Sequence, residues 1–427
     1  MKKRVAGVWH SVRRLDRTIT RDFSSILGLR LVEKVSGFIV VAVLFRSLDK
    51  EQLAQYGFIQ TVVAMCAIFG IQEFQNTISQ SVARGFPGTY RRSVPLALRW
   101  SSIGALLLLA IGAWYLQAGQ QQLGIGFVMA APIFPLMHAI SQWKGVFIGE
   151  GNFSSFSVAE ASNAIVKTLL IMATLWVFPG SFLAPLLVFL AIPAMQNLRQ
   201  TLLCFRRIPA LAPTEDGAIA YGLRANQYSA VGIVVANLDR VLIFTFLSPA
   251  LLAVYMAAEK FADLLQSMVQ DLGAVLATKF SKIERYSHRL DDALKLASLA
   301  IAIFVILFAV FAVPPLTLLI FGSGYQESIR YAQFLVASVA VGNIATLRFR
   351  FIRSRLDAVS YRNVLLTASF GKLAASAALI PWLGLAGAVA SVLLHRCILA
   401  AITSYTIRTR YLPGAADRPG GPDATKS

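Results

Sequence analysis

The sequence predicts an all-α, polytopic membrane protein of about twelve transmembrane helices. Three observations carry that expectation. Of 427 residues, 56% are hydrophobic and only 14% are charged, and the mean hydropathy is +0.64; a water-soluble domain needs a larger polar share. Apolar stretches near the ~20 residues of a bilayer crossing recur from end to end. Lys and Arg gather in alternate loops between those stretches, as the positive-inside rule expects. The formal charge of +19 therefore reads as membrane orientation, and no nucleic-acid partner is expected.

Taken in order, residues 1–24 form a basic cytoplasmic segment with Lys2, Lys3, Arg4, Arg13, Arg14, Arg17 and Arg21, without the early apolar region of a cleaved signal peptide. The first half, 25–204, holds spans near 26–44, 56–78, 94–116, 123–148, 156–178 and 182–204. A polar cytoplasmic linker, 205–220, contains Pro209, Pro213, Glu215 and Asp216. The second half, 221–408, holds spans near 221–247, 251–278, 293–320, 328–347, 363–380 and 385–407. Residues 409–427 read as a disordered cytoplasmic tail. Inside loops collect Arg84, Arg91, Arg92, Arg206, Arg207, Lys279, Lys282, Arg285, Arg289, Arg348, Arg350, Arg353, Arg355 and Arg362, whereas outside loops hold only Arg46, Lys50 and Arg330. An even number of crossings with both termini in the cytoplasm follows. Pro132, Pro135, Pro185, Pro193, Pro314 and Pro315 fall in or beside spans, where they kink helices. Cys66, Cys204 and Cys397 stand alone, with no metal or disulfide spacing.

The halves echo each other. The block from Leu29 and Arg30 to Tyr56 has a pattern like that of the block from Leu223 and Arg224 to Tyr255: an LR pair, a polar turn of helix, GFIVVA in the first and GIVVA in the second, an apolar run, a short turn and Tyr. Parallel repeats of this kind are a transporter plan, with the substrate site between the halves.

Four blocks then carry a family resemblance. They are Phe45-Arg46-Ser47-Leu48 with Tyr56-Gly57; Asn237-Leu238-Asp239-Arg240 with Val254-Tyr255-Met256-Ala257-Ala258; Phe321-Gly322-Ser323-Gly324-Tyr325; and Ile380-Pro381-Trp382-Leu383-Gly384-Leu385-Ala386-Gly387-Ala388. In this order the chain resembles the Wzx-type O-antigen and polysaccharide flippases of the multidrug/oligosaccharidyl-lipid/polysaccharide (MOP) exporter superfamily, over about residues 25–408. It departs where Ala is missing before Arg46, at Asp49 and at Leu252-Ala253. The resemblance implies a MATE-like fold of two six-helix bundles related by a pseudo-two-fold axis. It implies a bacterial inner-membrane protein that moves undecaprenyl-pyrophosphate-linked oligosaccharide to the periplasmic leaflet by alternating access, for lipopolysaccharide O-antigen or exopolysaccharide synthesis. A polysaccharide polymerase and a chain-length regulator are implied as neighbours.

Such a substrate offers an anionic pyrophosphate, a polar glycan and an apolar tail. Candidate cations for it are Arg30, Lys34, Arg46, Lys144, Lys167, Arg224, Arg240, Lys260, Lys372 and Arg396. Arg30 and Lys34 share a helix face and either grip a diphosphate together or snorkel to the headgroups. Lys167, Lys260 and Lys372 lie deeper, where ionisable groups mark a pathway. Glu33, Glu73, Glu160, Asp239, Glu259, Asp263 and Asp271 are candidates for ion pairing or for carrying a coupling ion, H+ or Na+. Glu259 and Asp263 lie one turn apart, a spacing at which carboxylates share a proton. Asp239 and Arg240 read as a structural pair. His138 and His395 are lone histidines for packing or proton relay, and Gly384 with Gly387 suits close helix packing. No cofactor is expected and the chain is not read as an enzyme, since no P-loop, catalytic triad or dinucleotide turn is present. Alternatives are a multidrug or cation antiporter of the same superfamily, a membrane-embedded glycosyltransferase or polymerase, and a non-transporting scaffold.

Overall fold

Long apolar runs with few helix breakers form helices because a bilayer leaves the backbone no other way to satisfy its polar groups. The computed structural model describes residues 28–29, 31–280, 286–354 and 358–412, and no strand occurs among them. Arg30, Lys282, Arg285, Arg355, the basic segment 1–24 and the tail beyond residue 412 lie outside the described residues.

The helices are α1 (31–47), α2 (Lys50–Cys66), α3 (Phe74–Ala83), α4 (Gly88–Gln117), α5 (Gln121–His138), α6 (Trp143–Gly149), α7 (Phe153–Val177) and α8 (Leu183–Arg207). After the linker come α9 (Ala218–Leu242), α10 (Pro249–Phe280), α11 (His288–Leu307), α12 (Val313–Phe321), α13 (Ser328–Ser354), α14 (Ala358–Leu383) and α15 (Leu385–Thr406). Each expected span has its helix. Ten helices among the described residues are long and apolar enough to cross a membrane. The long α10 also carries Glu259, Lys260, Asp263 and Asp271, which lower its hydropathy.

Three spans read as continuous are interrupted. Span two breaks after α2 in a 3-10 turn, Ala67–Gly70, and Ile71 adopts a left-handed φ of 47°. That conformation costs a β-branched residue on the order of 1–2 kcal/mol. Span four breaks between α5 and α6, just after Pro132 and Pro135. Span nine widens into a π-turn, Phe308–Ala312, ahead of Pro314 and Pro315, whose rings cannot donate to the preceding turn. The final helix continues through a π-turn, Ile407–Tyr411, into the stretch expected as tail.

The described chain divides into two units. One contains Val63–Ser229 with the described residues up to Leu48; the other contains Asp49–Val62 with the described residues from Ala230 onward. Each builds its own core. The first packs Phe74, Ile78, Tyr90, Trp143 and Cys204; the second packs Phe280, Tyr286, Leu347, Phe351 and Val364.

The repeat seen in the sequence recurs in the packing. In the first unit α4 packs on α5, α5 on α8, α7 on α8 and α3 on α6. In the second, the equivalents six spans later do the same: α11 on α13, α13 on α15, α14 on α15 and α10 on α13. Small residues set the closest approaches. A Cβ on Gly145 would lie 2.4 Å from the Gln75 carbonyl oxygen, and one on Gly149 would lie 2.6 Å from that of Ser79, so α6 meets α3 through a GxxxG face. Gly387 brings α15 against α14 in the same way. Three tryptophans near helix C-termini, Trp114 on α4, Trp176 on α7 and Trp382 on α14, are 61%, 86% and 89% exposed.

Candidate functional site

In the second unit, ionisable side chains from α9, α10, α14 and α15 supply a buried charged cluster. Asp239 falls on the inner face of α9, only 2% exposed. Its Oδ2 lies 2.7 Å from Lys372 Nζ on α14, and its Oδ1 accepts a 2.6 Å hydrogen bond from Ser376 Oγ, one turn further along α14. Tyr255 of α10 directs its hydroxyl to Oδ2 at 3.5 Å. Arg240, the next residue, points elsewhere: its Nη2 is 2.8 Å from Glu259 Oε2, and its Nε donates to the same oxygen at 2.9 Å. Asp263 Oδ2 is 3.9 Å from that guanidinium. Asp239 and Arg240 are therefore both in ion pairs, but not with each other, because adjacent helical positions diverge by about 100°. Arg240 stands between the two carboxylates of α10, a cation that offsets the repulsion expected to make them share a proton.

Lys260 is half-buried on α10. Arg396 of α15 lays its aliphatic stem against Gly342, where an added Cβ would stand 3.2 Å from Arg396 Cγ. Its Nη1 is buried and makes no hydrogen bond among the described residues. The ring Nδ1 of His395 pairs with the Ala368 carbonyl oxygen at 2.9 Å, a structural contact.

The first unit gathers a different set. Lys144 Nζ pairs with Glu160 Oε2 at 2.7 Å, and Gln196 Nε2 on α8 donates to the Ala159 carbonyl oxygen at 2.8 Å and, more weakly, to Glu160 Oε1 at 3.5 Å. Glu73 accepts from Asn76 Nδ2 at 2.9 Å. Lys167 Nζ stands 5.1 Å from the centre of the Phe189 ring, a cation–π contact inside an apolar span. Between the breaks of spans two and four lies a cavity of about 410 Å³, lined by Glu73, His138, Lys144, Asn163 and Asn197 among others. Lys34 and Glu33 are half-buried on α1, whereas Arg46 at its end and Arg224 on α9 are exposed. The linker is tied to the first unit. The Pro213 carbonyl oxygen accepts from Gly88 N at 2.9 Å, and Glu215 Oε2 accepts from Ser81 Oγ at 2.5 Å and from Arg84 Nη2 at 2.8 Å. These bonds hold the Glu215 carboxyl below its ordinary 4.5, the Ser81 hydrogen bond first and the Arg84 guanidinium next.

One cluster escaped the sequence reading. Arg348, expected in a cytoplasmic loop, is a buried residue of α13. Its Nη2 lies 2.6 Å from Asp291 Oδ1, and its Nη1 donates to Ser404 Oγ at 2.7 Å. Tyr286 donates to the same Asp291 oxygen at 2.6 Å, and Lys295 Nζ takes the other at 2.9 Å. The available signal was an acid opening span nine and a base closing span ten, positions that become neighbours in antiparallel helices.

No protein-family model matches the sequence, and no curated protein is detectably similar to it. Solved structures do share the fold. The eukaryotic MATE transporter AtDTX14 superposes with a TM-score of 0.64 at 15% identity, over 91% of this chain and 95% of that one. The lipid II flippase MurJ, in an inward closed conformation, gives 0.69 at 11% identity, over 92% and 88%. A MOP-superfamily transporter from Pyrococcus furiosus, for which a reversed polarity of the binding pocket is taken to suggest a different function, gives 0.55 at 14% identity, over 90% and 94%. The fold is MATE-like.

Proposed function

We propose that this chain is a transporter of the MOP type that moves an anionic, lipid-linked oligosaccharide across the bacterial inner membrane by alternating access, with both termini cytoplasmic. One observation carries the choice of an anionic substrate. Arg396 holds a buried guanidinium donor, Nη1, that makes no hydrogen bond among the described residues, in a helix long and apolar enough to cross a membrane. A buried donor left unpaired costs on the order of 1–3 kcal/mol, so its retention there asks for a ligand. Phosphate and pyrophosphate oxygens are the acceptors that a guanidinium binds best. In the same unit Arg240, Lys260 and Lys372 add three more cations, against the carboxylates Asp239, Glu259 and Asp263. A drug-cation antiporter would favour the opposite balance. The undecaprenyl-pyrophosphate carrier, the O-antigen or exopolysaccharide product and a neighbouring polymerase and chain-length regulator belong to this reading, as does H+ or Na+ as coupling ion.

The test is leaflet-resolved accessibility of undecaprenyl-linked oligosaccharide in cells with the native protein, without it, and with Arg396→Gln. The expected result is loss of the outer-leaflet pool and accumulation of inner-leaflet intermediates in the last two. An unchanged distribution, in a strain lacking other flippases, refutes the proposal and brings drug or ion export forward.

A further inference from the structure

Two helix breaks of the first unit lie side by side, and a cavity sits between them. Residues 71–73 separate the 3-10 turn from α3, and residues 139–142 separate α5 from α6. Gly70 sits against His138, where an added Cβ would come 2.8 Å from His138 Cβ. Interrupted helices at membrane depth are tolerated where they line a wet cavity or a binding site. The cavity here, about 410 Å³, falls within the ~300–1,000 Å³ range of small-molecule sites.

Its lining has a specific chemistry. Carboxamides dominate: Gln72, Gln75, Asn76, Asn163 and Asn197 all face it. Its charged groups, Glu73 and Lys144, already hold protein partners in Asn76 and Glu160. Asn197 is also spoken for, accepting from Trp143 Nε1 at 2.9 Å and donating to the Met137 carbonyl oxygen at 2.8 Å. Two buried lining atoms have no partner among the described residues: His138 Nε2 and Asn163 Oδ1. Asn163 Oδ1 only accepts, so an anion has nothing to give it, whereas His138 Nε2 accepts or donates according to its tautomer. A hydroxyl both donates and accepts, so it answers a wall that mixes amide N–H, carbonyl and imidazole groups. Met137 and Pro193 add an apolar patch against which a ring's C–H face packs.

We infer that this cavity binds an uncharged sugar ring of the transported glycan, with Asn163 Oδ1 and His138 Nε2 each taking one hydroxyl. The inference rests on the glycan-transport reading and gives it a second contact point, separate in chemistry from the cation-rich cluster of the other unit.

The experiment is saturation-transfer NMR of methyl α-glucoside and methyl N-acetyl-α-glucosaminide on the purified full-length protein in detergent, with inorganic pyrophosphate and tetraphenylphosphonium as counter-probes. The wild-type protein should transfer saturation to at least one glycoside. Asn163→Leu should reduce the effect at least tenfold with its thermal unfolding unchanged, and Asn163→Asp, which keeps the acceptor, should retain it. Should Asn163→Leu fail to fold, Asn76→Leu, at an exposed helical position, takes its place. Absence of glycoside binding to the wild type, meaning a cavity that holds water only, overturns the inference. So does equal binding by Asn163→Leu, or displacement by tetraphenylphosphonium. The two readings fail separately. Glycosides that bind while the leaflet assay shows no effect of the protein would sink the flippase and keep the sugar site. Normal glycan export by a binding-dead Asn163→Leu would sink the site's role and keep the flippase.

Discussion

Replacing Lys372 with methionine should be among the most damaging single changes in the second unit, and replacing its partner at the same time should undo most of the damage. Lys372 is 7% exposed and Asp239 2%, and their charged atoms are 2.7 Å apart. Removing one member of such a pair leaves a buried, uncompensated charge and costs roughly 3–5 kcal/mol. Asp239 keeps its 2.6 Å bond from Ser376, worth about 1.5–3 kcal/mol as a charge-assisted contact that a lone carboxylate still uses. The Tyr255 hydroxyl, at 3.5 Å, adds little. Lys372→Met is therefore expected at the lower end, near ~3 kcal/mol. Asp239→Asn with Lys372→Met leaves no buried charge and should return to within about 1 kcal/mol of wild type, because a buried pair and its neutral isostere are often of similar stability. The assay is reversible unfolding in mixed micelles of increasing SDS fraction, followed by helical circular dichroism, across the four members of the cycle. A single variant that loses less than about 0.5 kcal/mol, or a double variant no better than the sum of the singles, refutes the buried-pair argument.

Other predictions follow from the same geometry. Arg348→Lys keeps the charge but loses the fork that serves Asp291 and Ser404 together, so it should still lower stability by ~1–3 kcal/mol in the same micelle titration. Gly387→Ala would bring a Cβ to 2.0 Å from the Leu379 carbonyl oxygen, whereas Gly324→Ala meets nothing within 4 Å; the first should abolish recovery of folded protein on size exclusion and the second should not. Glu215 titrates below its ordinary value of 4.5 in the folded chain. Its contribution is thus complete above that value and is lost as pH falls through the lower folded value. Glu215→Gln should flatten the acid side of the melting-temperature profile below about pH 4.5, and an unchanged acid limb would show that the linker contact contributes nothing.

The helices were legible because every span had to be apolar and about twenty residues long, and the alternation of Arg84, Arg206, Arg207 and Arg289 with nearly uncharged loops gave the expected order of crossings. The repeat was legible in the paired LR blocks and the IVVA stretches that follow them, 39–42 and 233–236. The breaks were less so. Pro132 and Pro135 announced a kink, but nothing marks Ile71 as left-handed, since a β-branched residue argues against that conformation. The cations at Lys144, Lys167, Lys260, Lys372 and Arg396 were visible as charges inside apolar runs. Their partners were not, because three spans lie between Asp239 and Lys372, and only packing brings them together. Arg348 was lost to the loop reading for a related reason: a cation near a span's end looks the same whether it faces headgroups or an acid on the next helix.

The three exposed tryptophans bring the bilayer back into view. In the twelve-span reading of the sequence Trp114, Trp176 and Trp382 each close an odd-numbered crossing, and that reading expects all three at the same membrane surface. Indoles prefer the headgroup zone, where ring and N–H are both accommodated. They act as a waterline, marking how deep each of their helices sits. Lipids brominated at graded acyl depths should quench their emission most near the headgroups, and a water-soluble quencher confined to one face of a vesicle should report which surface that is. Fluorescence already present in the chain can thus fix its orientation without a tag.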